Sequence, residues 1–168
     1  MELTHIDGQG RARMVNVGGK NITDRKAVAR GRVYMKPATL ELMERGSMKK
    51  GDVLGVAQVA GIMGAKKTPD IIPMCHPLNI DGIDMTLEIN RELVAVDIKA
   101  EVTVPGKTGV EMEALTAVAV AALTVYDMCK AVDREMVIGD IELVEKSGGK
   151  SGKYVKEGGS NEGKSDCR

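Results

Sequence analysis

Residues 83–104, IDMTLEINRELVAVDIKAEVTV, decide the fold together with the run that follows them, 106–130, GKTGVEMEALTAVAVAALTVYDMCK. Ile83, Met85, Leu87 and Ile89 alternate with Asp84, Thr86 and Glu88, the two-residue period of a strand with one face packed and one wet. Val94, Val96, Ile98, Ala100, Val102 and Val104 repeat the pattern, and the short Asn90-Arg91-Glu92 link makes the pair an antiparallel hairpin. After Pro105 the pattern changes to a helix that is apolar nearly all round and runs to about Val132. Glu113, Thr116, Thr124 and Asp127 share one side of it, with Lys130 just beyond. Two readings of that polar stripe stand at this point. Either it faces water, with Asp127 and Lys130 as a surface i,i+3 pair contributing about 0.3 kcal/mol, or it lines a pocket where a lysine tunes an acid/base carboxyl.

Working outward, Met14, Val15 and Val17 read as a short strand ended by Gly18 and Gly19, and Arg30–Met35 as a second one. Pro37 opens a short helix over Thr39–Arg45 that Gly46 stops. Asp52 caps another, in which Val53, Val56, Ala57, Ala60 and Met63 follow the helical period and Gly64 is the exit. Residues 65–82 hold three prolines and no period, and so read as a long functional loop. A last strand covers Met136–Val144, and from Ser147 the Gly, Ser, Lys and Glu composition reads as flexible. The order predicts an α+β fold: a ferredoxin-like βαββαβ sandwich, its antiparallel sheet carrying helices on one face, with an extra N-terminal strand. One domain is expected over 1–155, with 156–168 as a tail.

Composition narrows the partners. Among 168 residues, 24 basic and 24 acidic side chains cancel, so no overall field favours nucleic acid or a membrane surface. Phe and Trp are absent and Tyr occurs three times, which leaves few platforms for stacking bases. The core must come from Val, Ile, Leu, Met and Ala. Met1–Asn16 is mixed and charged rather than a basic-then-apolar leader, and no run nears 18 uninterrupted apolar residues. Cys75, Cys129 and Cys167 are odd in number and widely spaced, which fits a reducing cytoplasm. Cys75 and His76 are adjacent and no second pair stands at zinc-ligand spacing, so no metal site is expected.

Three glycine–lysine passages invite comparison with a phosphate-binding loop. Gly106-Lys107-Thr108 would need a glycine where Glu101 stands, Gly149-Lys150-Ser151 one where Val144 stands, and Gly18-Gly19-Lys20 has neither the spacing nor the hydroxyl. None is a Walker motif. Glycine-rich backbone beside lysine can still cradle phosphate, and Lys146, Lys150 and Lys153 fall within one eight-residue run.

Taken together, HID at His5–Asp7, KGDVLGVAQVAGIMGAKKTPDIIPMCHPL at 50–78, PGKTGVEMEALTAVAVAALTVYDMCKA at 105–131 and EKSGGKSG at 145–152 resemble the MoaC family of cyclic pyranopterin monophosphate synthases, over about residues 3–155. The resemblance implies conversion of 3′,8-cyclo-7,8-dihydro-GTP to cyclic pyranopterin monophosphate with loss of pyrophosphate, in molybdenum-cofactor biosynthesis. It implies no required cofactor, with Mg2+ left open, and a homohexamer built as a trimer of dimers with sites at the dimer interface. By motif it assigns Asp127 as acid/base residue, with Lys130 beside it and Lys50 as a second catalytic lysine. Met74, Cys75, His76, Glu111, Met112 and Glu113 would line the substrate, while Arg25, Lys20, Lys66, Lys146 and Lys153 would receive the triphosphate. Glu113 and Asp127 stand 14 positions apart on one helix, about 21 Å, so the site is expected to draw on two subunits. A non-catalytic binding scaffold and a nucleic-acid binder are the competing classes.

Overall fold

Small side chains on every second residue let the central strand lie under a helix. In the structure, a computed structural model that describes residues 8–157, β1 (Thr23–Tyr34) buries Ala27, Ala29 and Val33. A Cβ on Gly31, on the same face, would come within 2.6 Å of Val118. There follow α1 (Pro37–Glu44), α2 (Val53–Lys66), the single turn α3 (Thr68–Ile71), β2 (Gly82–Asn90), β3 (Ala95–Gly106), α4 (Glu111–Cys129), β4 (Val137–Ser147) and β5 (Tyr154–Val155). The sheet order is β2-β3-β1-β4-β5 and every pairing is antiparallel. The first four strands, interleaved as β2-β3-β1-β4 with helices between, give the ferredoxin-like α+β arrangement expected from the hairpin and helix.

α4 is long and apolar enough to cross a bilayer by length and composition. Here it is the core of the domain: Ala114, Ala117, Val118, Ala121, Ala122 and Val125 are buried against α2, β1, β3 and β4. Glycines bring α2 close. A Cβ on Gly61 would stand 2.5 Å from the Met85 sulfur and 2.9 Å from the Ala117 carbonyl, and one on Gly64 2.8 Å from Val120. Gly64 is therefore a packing residue, and α2 runs past it to Lys66 instead of ending there. The Asp52 carboxylate accepts from Gly55 N–H at 3.0 Å, which fixes the start of α2 and the loop just before it, where Lys50 sits.

Four further expectations change. The N-terminal strand does not form: residues 13–17 carry no sheet pairing, because their backbone is held elsewhere. The Val15 carbonyl lies 2.9 Å from His76 Nε2, and the Gly18 carbonyl accepts from Lys107 at 2.7 Å. β1 begins at Thr23 rather than Arg30, since Lys26 satisfies itself across the sheet with Glu101 at 2.8 Å and a charged position need not end a strand. The loop over 65–82 contains α3. The chain from Ser147 is ordered into a turn and a short strand, as Gly148 and Gly149 at φ +93° and +71° reverse it so that Tyr154 and Val155 pair with Lys146 and Glu145. Lys156 N–H continues this pairing to Val144. The remainder of the expected tail, 158–168, and the His5–Asp7 motif lie outside the described residues.

Candidate active site

The expected site residues gather mainly into two groups, one at each end of α4. At the C-terminal end, Asp127 Oδ1 accepts from Lys130 Nζ at 2.7 Å and its Oδ2 accepts from Lys50 Nζ at 2.7 Å; Lys50 also reaches the Asp127 carbonyl at 2.9 Å. The three residues assigned to catalysis are therefore in contact. The Asp127 side chain is 55% exposed. The hydrogen bond from Lys130, then that from Lys50, holds its carboxyl down at about 2. At neutral pH it is a carboxylate that aims two ammonium groups, and a weak base. Of the two readings of the polar stripe, the geometry at this end is that of the water-facing pair, with Asp127 55% and Lys130 53% exposed.

At the N-terminal end, Met74, Cys75, His76, Glu111, Met112 and Glu113 line a cavity of about 360 Å³, closed on another side by Val15 and Val17. Glu113 is only 3% exposed. Burial pushes its carboxyl upward; its own backbone N–H pulls the other way, and Glu111 adds to the rise. Burial likewise raises the Cys75 thiol, helped by Glu113, so Cys75 is a neutral wall rather than a nucleophile. A carboxyl raised in the folded state favours folding at low pH. Its contribution is complete below the ordinary carboxylate range and is lost as pH rises through the raised value. Glu113→Gln is thus expected to flatten the stability profile: between pH 4 and 7 the wild type should lose melting temperature relative to the variant, and parallel curves would contradict this.

Beside that cavity, sharing Lys20, Thr108, Gly109 and Glu111 with it, lies a second one of about 490 Å³. Six cations line it: Lys20, Arg25, Lys26, Lys107, Lys146 and Lys150, with Glu111 the only carboxylate among the described residues. All three glycine–lysine passages meet here, although none has Walker spacing. Arg25 donates to the Gly106 carbonyl at 3.3 Å, and its guanidinium occupies the space where a Cβ on Gly149 would stand. Lys146 bridges Glu111 at 3.0 Å and Ser151 Oγ at 3.1 Å. Of the expected triphosphate ligands, Lys20, Arg25 and Lys146 lie in this wall, while Lys66 and Lys153 do not. Lys66 is exposed at the end of α2, and Lys153 pairs outward with Glu145 at 3.4 Å. Lys26, Lys107 and Lys150 were missed by motif, and the signal for the last two was the glycine–lysine passages themselves. Among the described residues no group of three or more His, Cys, Asp or Glu gathers.

Fold and geometry together give an α+β protein with a cation-lined cavity beside a buried carboxyl. The sequence matches the model of the MoaC family over residues 14–149. It is 63% identical over 156 residues to the cyclic pyranopterin monophosphate synthase of Pelotomaculum thermopropionicum, covering 93% of this chain and 92% of that protein. Over 157 residues it is 62% identical to the protein of the same name from Thermoanaerobacter sp. strain X514, covering 94% and 99%. Over 155 residues it is 57% identical to that from Heliobacterium modesticaldum, covering 92% and 98%. The chain belongs to the MoaC family.

Proposed function

We infer that this chain is a phosphorus–oxygen lyase of molybdenum-cofactor biosynthesis, which converts 3′,8-cyclo-7,8-dihydro-GTP to cyclic pyranopterin monophosphate and releases pyrophosphate. The observation that carries the reading is the junction of the two cavities, where a wall of six cations opens beside the protonatable Glu113. A triphosphate brings about four negative charges, which a chain of zero net charge can match only by clustering its cations. The phosphates sit along Lys20, Arg25, Lys107, Lys146 and Lys150, and the purine-derived ring lies over Met74, His76 and Met112. Cyclic phosphate closure then relies on the same cations to stabilise charge on the leaving pyrophosphate. The donor set of that wall suits direct contact with phosphate oxygens, and no step is assigned to Mg2+.

Ring opening and rebuilding require protons at several atoms. Glu113 offers a carboxyl held toward its neutral form, and Lys50 and Lys130 offer ammonium groups that Asp127 orients. Glu113 and Asp127 lie 14 residues apart on one helix, about 21 Å, too far for one small ligand to bridge. The Lys50–Asp127–Lys130 group that completes each site therefore comes from a second copy across a two-fold axis; the hexamer built as a trimer of dimers, and the cytoplasm as its location, are what the resemblance to the MoaC family adds. Incubation with the cyclised GTP substrate should release one pyrophosphate per pterin formed. A folded oligomer that binds this substrate but releases none would overturn the assignment.

A further inference from the structure

Asp133 is 2% exposed and belongs to neither half of the site. Burial pushes its carboxyl upward, but the backbone N–H groups of Lys36 and Glu135 and the Thr39 hydroxyl outweigh that and hold it below the usual carboxylate range. Its Oδ2 accepts from Lys36 N–H at 2.9 Å and from Thr39 Oγ1 at 3.2 Å, and its Oδ1 accepts from Glu135 N–H at 3.0 Å. Lys36 is the residue preceding α1, and its own side chain makes no cap. A carboxylate from 97 positions away therefore caps that helix. The other end of the link is equally fixed, because Asp133 N–H donates to the Cys129 carbonyl in the last turn of α4 at 3.1 Å.

We propose that Asp133 is a positioning residue for the reaction: by tying the start of α1 to the end of α4, it sets Lys50 against Asp127. The path is short. α1 leads through Gly46 to Met48, which is buried in the core, and Gly51 N–H closes a turn onto the Met48 carbonyl at 2.9 Å, with Lys50 on that turn. Asp52 then begins α2. Lys50 is thus carried by a loop fixed to α2 on one side and to α1 on the other, while Asp127 and Lys130 ride on α4. A shift of α1 against α4 would drag the Met48–Gly51 turn with it, and with that turn the two bonds from Lys50 to the carboxylate and the carbonyl of Asp127. A capped helix would be served by Asp or Ser at position 36; capping from Asp133 adds the tether to α4. The catalytic part of this inference rests on the function proposed above.

Asp133→Asn turns one of the two accepting oxygens into a donor facing a donor. The variant should remain folded, lower kcat by about 10²-fold through misplacement of Lys50, and change KM little. Acylation of Lys50 by an amine-reactive ester, read by peptide mass spectrometry against Lys66 as internal reference, should rise several-fold, because the contact with Asp127 no longer shields it. General loosening would raise both lysines together and so count against the proposal. Thr39→Val removes one of the three bonds with little change of shape, and should shift both readouts in the same direction by less. If Asp133→Asn does not fold, Thr39→Val decides alone. Wild-type kcat and a wild-type Lys50/Lys66 ratio in the folded variant would overturn the proposal. If Asp127→Ala keeps full activity, the catalytic reading falls instead, and the Lys50/Lys66 ratio still judges the tether.

Discussion

Asp127→Ala is expected to abolish pyrophosphate release, by about 10³-fold or more, while the protein stays folded and assembled. The carboxylate is exposed and its ion pairs are open to solvent, so its removal should move the melting temperature little. Without it Lys50 and Lys130 lose their common anchor and repel one another. A binding scaffold predicts the reverse pattern, with stability lost and no chemistry to lose. Mixing supplies the sharper test. Subunits inactive through Asp127→Ala, combined with subunits inactive through Glu113→Ala, should regain up to about a quarter of wild-type activity, since half of randomly formed dimers are mixed and each mixed dimer holds one intact site. No recovery after demonstrated subunit exchange would show that both residues act within one protomer, or that one of them does not act.

The second large effect is expected at Gly149. Its φ of +71° is strained for any branched residue, and a Cβ there overlaps the Arg25 guanidinium. Gly149→Val should drive Arg25 out of the cation wall and distort the turn carrying Lys150 and Ser151. KM for the cyclised nucleotide should rise by about 10²-fold, with a smaller change in kcat, as lost ground-state binding requires. Lys153→Ala, outside both cavities, is the control and should leave KM within about two-fold. A Gly149→Val enzyme with unchanged KM would move the triphosphate elsewhere.

The hairpin was legible because its period is clean, so that Met85 and Leu87 could be assigned a face from spacing alone, and α4 because its apolar run is long and free of Pro and Gly. The start of β1 was not, since Arg25 and Lys26 hide a strand whose charges are matched on neighbouring strands, as in the Arg30–Glu142 pair at 2.6 Å and the Arg32–Asp97 pair at 2.6 Å. Met14–Val17 has the composition of a strand, yet tertiary hydrogen bonds from His76 and Lys107 claim its neighbourhood. In the site, the contact between Asp127 and Lys130 follows from helical spacing, whereas Lys50 came from motif resemblance. Walker spacing presumes one continuous loop, so it discarded passages that three separate loops here pool into one wall. The tether made by Asp133 left no trace in the sequence, because its partners at the start of α1, Thr39 and Lys36, stand 94 and 97 positions away.

The close seating of α2 on α4, with glycine at Gly61 and Gly64, makes α4 a stiff rod whose two tips cannot approach each other. If each tip serves a different ligand, an isolated protomer carries two incomplete half-centres however well it folds. Specific activity should then decline on dilution with the square-law signature of a dissociating pair, and heat or mild chaotropes that part the copies should silence turnover before any helix melts.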